Sequence, residues 1–386
     1  MANLSIEDYR IDISAEDVRD LQDRIDRTRW PVQLPGGEDW SKGPTVAAAQ
    51  AWAAALRDFD WSAFQEEFNA APQFVSTIDG ARIHFIHARS DRSDAIPLLA
   101  LHGWPGTPVE YLDLLPGLTA PESGDEPAFH VIAPSHPGVG LSGPTDEPGW
   151  GVDRTARAYA TLMAELGYDR YLVQGGDHGA IIGPHVGRVD AESVIGVHVN
   201  AATIGFMPMG EVSDEDAAAL TDLERARLAS IGRFMSEGNG YNVIQATRPQ
   251  TVGYGLDDSP AALLTWMLDK IHEWTHSPDV FDDPRYRERH LADVLLYWFT
   301  RTGTSAANNV YAEYGSLFAD PKSFANSGVP TAVIAFAEDI SIRRFSEPAN
   351  TIVRWTDSDE GGHFAALEQP EALLADLRAF AREVAR

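Results

Sequence analysis

The sequence predicts an α/β fold with a mostly parallel central sheet. Three observations carry this. Short continuous apolar runs recur at 96–101, 129–133, 171–174, 194–199, 331–336 and 351–355, helical stretches lie between them, and Gly-rich turns follow several of the runs. Continuous rather than alternating runs mark parallel strands whose two faces are both covered by helices.

Along the chain, Val18, Leu21 and Ile25 recur at helical spacing among charges within 14–29, with Ser14 as N-cap and Trp30-Pro31 as the stop. A Gly/Pro-rich connection at 34–44 leads to helical stretches at 45–59 and 61–69, so residues 1–72 form a helical leader ahead of the first strands. The β-rich runs 73–78 and 81–88 are split by Asp79-Gly80, a strong hairpin signal that predicts an antiparallel start to the sheet. A helix is expected at 155–166. After residue 199 the strand rhythm stops until 331, and helical spacing takes over at 214–235, 260–273 and 290–300. The prediction is a helical cap at 205–315 inserted into one core of 73–204 and 316–386, closed by an amphipathic helix at 370–384.

A chain of 386 residues with 44% hydrophobic content can bury a substantial core. Fifty-eight acidic residues against thirty basic give a net charge of −28, a field that repels phosphate backbones and speaks against nucleic acid as a partner. We read the acidity as surface solvation. The absence of cysteine removes disulfides, thiolate metal sites and a thiol nucleophile, leaving Asp, Glu, His, Ser or Tyr for chemistry. No stretch approaches the run of about 18 apolar residues that a membrane helix requires, and the N-terminus lacks a signal-peptide layout. The expectation is a soluble cytoplasmic protein with no membrane partner, and a homodimer as the commonest assembly.

The most informative site is LVQGGDHGAIIG, where a short apolar strand runs into Gly175-Gly176-Asp177-His178-Gly179 and then a helix. The layout is G-x-nucleophile-x-G with Asp where esterases carry Ser; small neighbours let a strained turn project its side chain above the sheet. A glycine-rich turn with a solvated Asp cap is the bland alternative. Upstream, the strand at 96–101 delivers His102-Gly103-Trp104-Pro105-Gly106, where an α/β-hydrolase places one backbone N–H of its oxyanion hole. Downstream, one strand is followed by Ala337-Glu338-Asp339 and the next by Gly361-Gly362-His363-Phe364, giving the order nucleophile, acid, histidine. An Asp nucleophile cannot usefully acylate, but it can displace at an sp³ carbon to form an alkyl ester that water cleaves. That limits the chemistry to opening epoxides or displacing halide and similar leaving groups.

The sequence resembles the epoxide hydrolases of the microsomal type, including the juvenile-hormone epoxide hydrolases. The resemblance covers nearly the whole chain: the leader YRIDISAEDVRDLQDRIDRTRWP, the HGWPG turn, APSHPGVGLSG, the GGDHG elbow, GYNVIQATRPQTVGYGLDDSP, and GGHFAALEQP. It implies an α/β-hydrolase fold that adds water to a small-molecule epoxide to give a vicinal diol, with no metal and no organic cofactor. It also implies Asp177 as nucleophile, His363 as the base that activates water, and Asp339 as the acid that orients His363. Tyr241 in GYNVIQAT and Tyr311 in VYAEY match the two cap tyrosines that protonate the epoxide oxygen, and a phenol suits that task. Tyr254 and Tyr314 are the nearest confounders. Backbone N–H groups of Trp104 and His178 would hold the ester oxygen as it becomes tetrahedral.

Three departures stand out. His178 replaces the Trp that relatives carry after the nucleophile, implying a smaller, more polar and titratable wall beside Asp177. The acid segment reads AFAED where relatives have a proline and most often Glu, which leaves Glu338 as a rival to Asp339. No counterpart of the membrane anchor of the animal enzymes is expected. The family spans detoxification, hormone turnover and natural-product biosynthesis, and the Ala/Arg/Asp-rich composition suggests a bacterium with secondary metabolism. The rival readings are a haloalkane dehalogenase, which needs Trp or Asn halide donors, and a catalytically idle ligand-binding protein on the same fold. Gly138-Val139-Gly140-Leu141-Ser142-Gly143 satisfies G-x-G-x-x-G, but Pro144 ends it, so it opens no phosphate-binding helix. His84, His87, His178 and His185 lack metal-ligand spacing and are expected to be structural or pocket-lining. The leader aromatics Trp30, Trp40, Trp52, Phe59 and Trp61 are expected to pack a helical layer over the sheet or cap.

Overall fold

Nine strands form the central sheet: β1 (Glu7–Tyr9), β2 (Gln73–Ile78), β3 (Ala81–Ala88), β4 (Ile96–Leu101), β5 (Phe129–Pro134), β6 (Tyr171–Gly176), β7 (Val194–Asn200), β8 (Pro330–Ala335) and β9 (Thr351–Asp357). A computed structural model describes residues 5–312, 317 and 320–385. Strand order is β1-β2-β3-β5-β4-β6-β7-β8-β9, antiparallel from β1 to the β3–β5 pair and parallel from there on. This is the α/β-hydrolase fold. Asp79 and Gly80 both take positive φ, at 49° and 82°, as a tight two-residue hairpin turn needs.

Both faces of the sheet are dry. In β4, Leu98 and Ala100 belong to one apolar cluster while Leu99 and Leu101 belong to the other, which is why the run reads as continuously apolar rather than alternating. One face is covered by α4 (Val152–Glu165) and α5 (His178–Val189), through Tyr159, Leu162, Ile182 and Val186. The other carries the leader and the C-terminal helix, with Phe64 and Phe380 in one cluster.

The leader folds as α1 (Ala15–Asp26), α2 (Val46–Arg57) and α3 (Trp61–Phe68), opened by side-chain caps from Ser14, Thr45 and Asp60. Its aromatics pack against the helices inserted between β7 and β8. Trp40 stacks on His272 at 3.7 Å between ring centroids, Trp52 meets Phe281 at 5.3 Å, and Trp61 meets Phe299 at 4.8 Å. An ionic staple reinforces this contact. The guanidinium of Arg289, 1% exposed, reaches Glu67 of α3 at 2.7 Å and Asp113 of the core at 2.6 Å. Burial works to raise the Asp113 carboxyl, but hydrogen bonds from Arg289 and Arg285 bring it down to about 2. This contribution is complete above the ordinary carboxylate range and disappears as pH falls through about 2. Arg289→Ala is expected to cost about 2–3 kcal/mol in denaturant unfolding at pH 7, below the 3–5 typical of breaking a fully buried pair. The discount follows from the exposure of Glu67 and Asp113, 40% and 37%, and from their remaining contacts with Arg285.

Four sequence expectations change. The leader is not wholly helical, because Glu7–Tyr9 adds a three-residue edge strand beside β2. The expected helix over 214–235 is broken into Asp214–Ala219 and Asp222–Arg233, where Thr221 and Glu224 form a capping box that starts a new helix. Two further helices follow, α6 (Gly240–Thr247) and Pro249–Asp258, ahead of α7 (Pro260–Trp274). The next helix, α8 (Pro284–Thr300), begins before residue 290 because Asp283 caps it and accepts from the Tyr286 amide at 2.9 Å. The C-terminal helix α9 (Pro370–Val384) has the expected bounds. The expected boundary at 315/316 lies outside the described residues. Among those described, no helix is long and apolar enough to cross a membrane.

Candidate active site

The turn between β6 and α5 places Asp177 at φ 52° and ψ −114°, a strained backbone for a residue with a side chain. Close approach of chain to chain makes the flanking glycines obligatory. A Cβ on Gly179 would stand 2.1 Å from the Leu101 carbonyl oxygen, and one on Gly103 would stand 2.5 Å from the Asp177 Cβ. The end of β4 is thereby pressed against the start of α5, and the Trp104 amide donates to Asp177 Oδ1 at 2.9 Å. His178 is the first residue of α5.

His363 follows β9, and its Nε2 lies 3.5 Å from Asp177 Oδ2. Two anchors hold its loop. The His363 amide donates to the Trp274 carbonyl at 3.0 Å, and the Trp274 ring lies 4.5 Å from the imidazole between centroids. The buried Glu368 accepts from the Phe364 amide and, with its other oxygen, from the His276 amide, both at 3.0 Å. Burial pushes the His363 imidazole below its ordinary pKa of 6.5 against the pull of Asp177, so the neutral, proton-accepting form prevails at pH 7.

The two acidic candidates separate by environment. Glu338 is half-exposed and accepts from His276 Nδ1 at 3.0 Å. Asp339 is buried, and its Oδ2 accepts from the Phe336 amide at 2.9 Å and the Ala201 amide at 3.2 Å. Burial pushes Asp339 up to about 7 against those two donors. Among the described residues no hydrogen bond joins Asp339 to His363.

Tyr241 and Tyr311 stand 70 residues apart in sequence yet meet with ring centroids 5.7 Å apart. Both also pack on Trp104, at 5.2 and 5.6 Å, beside the amide that holds Asp177. Tyr241 opens α6 just after the π-helical turn Phe234–Gly238, and Tyr311 lies within a second such turn, Asn308–Ala312. Burial and then the Asp177 carboxylate push the Tyr241 phenol up, against a hydrogen bond with Tyr311, so it stays protonated. Tyr254 is 74% exposed, and Tyr314 lies outside the described residues.

Known proteins resemble this chain over nearly its whole length. Residues 6–111 match the family described as Epoxide hydrolase N terminus, and residues 96–235 match the alpha/beta hydrolase fold. A putative epoxide hydrolase of Stigmatella aurantiaca is 34% identical over 97% of this chain and 84% of its own length. The chain belongs to the epoxide hydrolase family. It acts as an epoxide hydrolase, on an ether bond. Epoxide hydrolase 1 of Oryctolagus cuniculus is 32% identical over 99% of this chain and 90% of that protein. Among solved structures, the Aspergillus niger epoxide hydrolase matches at TM-score 0.86 and 31% identity, covering 99% of this chain and 97% of that one. The juvenile hormone epoxide hydrolase of the silkworm Bombyx mori matches at 0.85 and 31%, covering 99% and 95%.

In this epoxide hydrolase the His178 side chain is packed away and stays neutral at pH 7 rather than forming a titrating wall. The side chain is 4% exposed and set edge-on to His136 at 5.2 Å, and burial followed by His136 holds it well below the usual histidine range. His84, His87 and His185 bond to Gln73 and Ser135, to Tyr168, and to Asp153. Gly140–Ser142 is a single 3-10 turn, consistent with its exclusion as a phosphate site. Sequence reasoning passed over three residues at the centre: Trp274, Glu368 and Glu110. Trp274 reads as a helix-end aromatic and Glu110 as one of many acids. Only Glu368 had a signal, its place in GGHFAALEQP five residues after His363.

Proposed function

We propose that this epoxide hydrolase works through a covalent alkyl ester on Asp177. The observation that carries the reading is the split in the carboxylate's environment. Oδ1 is held by the Trp104 amide, whereas Oδ2 lies toward His363 and is the oxygen placed to attack. Oδ2 bonds to an epoxide carbon, the C–O bond of the ring breaks, and Tyr241 and Tyr311 deliver a proton to the oxygen, leaving one of them as phenolate. His363 then takes a proton from water as its oxygen adds to the ester carbonyl. Amides of Trp104 and His178 stabilise the oxyanion, and the imidazolium protonates the departing alkoxide. The Asp177 carboxyl returns its proton to the phenolate, so the balance is one epoxide and one water in, one diol out. In this reading 205–315 is a cap over the core and supplies both phenols.

Asp339 is the orienting acid in this scheme, and its resting environment fits a charge that develops during the cycle. Its carboxyl is raised to about 7, so it costs stability increasingly as pH climbs from the ordinary carboxylate range to about 7 and by a constant amount above that, and the imidazolium formed in ester hydrolysis compensates the charge. Asp339→Asn should therefore slow ester hydrolysis by about 10²-fold or more while raising Tm at pH 8 by at least about 2 °C. Stopped-flow kinetics and thermal unfolding at pH 5 and pH 8 check both arms; the gain in Tm should be clearly smaller at pH 5 than at pH 8 and should vanish only below the ordinary carboxylate range.

A single turnover in heavy-oxygen water tests the covalent route. The first diol should carry unlabelled oxygen drawn from Asp177, with label entering the protein carboxylate instead. Direct incorporation of label into that diol would overturn it.

A further inference from the structure

Against Asp177 lies a cavity of about 20 Å³ whose polar lining comes from Glu110, Tyr111, Gln174, Asn200, Asp177 and His363. That volume accommodates one water molecule and no epoxide. Phe364, Ala365 and Leu373 add hydrocarbon to the lining. Among the polar groups the amide of Gln174 is committed, since its Oε1 accepts from the Tyr111 hydroxyl at 2.8 Å and its Nε2 donates to Asn200 Oδ1 at 2.9 Å. The group with acceptor capacity to spare is the Glu110 carboxyl, whose two oxygens can each take more than one donor. It is carried into place by the short turn Pro108–Tyr111 after HGWPG, with Oε2 3.2 Å from where a Cβ on Gly106 would stand.

We propose that Glu110 is a water-holding residue, which with His363 fixes in this cavity the water that cleaves the Asp177 ester. The inference rests on the covalent reading above and deepens it. One water proton points to His363 Nε2 and leaves with it; the other is held by Glu110, so that the water oxygen faces the ester carbonyl carbon and forms the new C–O bond there. Collapse breaks the bond to the alkoxide, which takes the proton from His363. Burial, then the neighbouring carboxyls of Asp293 and Asp177, push Glu110 well above the carboxylate range, against a smaller lowering influence of the nearby Tyr111 hydroxyl. It therefore works as a neutral acceptor, and a neutral amide of the same shape can replace it.

The test follows alkylation and ester decay separately in single turnovers of a simple epoxide, with intact-protein mass spectrometry reporting the ester. Glu110→Ala is expected to alkylate near the wild-type rate, to accumulate ester, and to lose about 30-fold in ester decay, the worth of one lost hydrogen bond to the water. Glu110→Gln should restore most of that loss, which a general packing defect would not predict. If Glu110→Ala does not fold, Glu110→Leu fills the cavity with carbon and should give the same stalled ester. Wild-type ester decay in the folded Ala or Leu variant, or a Gln variant as slow as Ala, overturns the assignment. His363→Gln run in parallel separates the two levels: no ester in that variant would overturn the covalent reading itself.

Discussion

The His363→Gln variant is expected to alkylate Asp177 once and then stop. In the proposed scheme the imidazole does no work in the first step, where Oδ2 of Asp177 attacks and the phenols supply the proton. In the second step that scheme makes it the base, and general-base catalysis is worth about 10²–10⁴-fold, so steady-state turnover should fall by that amount. The neutral Gln side chain spans part of the 3.5 Å gap to Asp177 without being able to take a proton at neutral pH. The protein should then gain the mass of one epoxide, mapped by peptide digestion to the segment around Asp177. A variant that turns over normally, or one that fails to alkylate while remaining folded, would remove His363 from the role of base.

Tyr241→Phe combined with Tyr311→Phe should abolish the opposite half of the cycle. The epoxide oxygen leaves as an alkoxide unless it is protonated, and among the described residues the two phenols are what the geometry sets together beside Trp104. Each single change keeps one donor and should lower the alkylation rate by a modest factor; the double change should lower it by about 10⁴-fold. Phe preserves ring packing, so folding should be intact. Unchanged alkylation in the double variant would mean that the proton comes from elsewhere.

Much of this enzyme was legible in the chain because its constraints are local. The parallel strands appeared as apolar runs most completely where both faces are buried, as in β4 with Leu98, Leu99, Ala100 and Leu101, whereas the edge strand β9 is partly exposed and carries Arg354. The elbow at Asp177 was legible because the close contacts of Gly103 and Gly179 with Leu101 and Asp177 admit no Cβ, a demand that leaves its mark in the sequence itself. His363 was legible from its order after the nucleophile. The edge strand Glu7–Tyr9 was not, because three residues carry no period and are held by pairing with β2 rather than by their own pattern.

By itself, then, the sequence determined the fold class and singled out the Asp177 turn and His363 as candidates through backbone sterics, burial and chain order, while the two tyrosine candidates came from the family resemblance. The tertiary structure decided what depends on distance between remote segments. It brought Tyr241 and Tyr311 to the same indole through two π-helical turns, gave Glu338 to His276 while burying Asp339, and neutralised His178 by packing it on His136. It also set Glu110 facing a void the size of one water. Acidity, protonation and room for a water molecule are properties of an environment, and in this enzyme that environment is assembled from loops that follow different strands and from the helices inserted between β7 and β8.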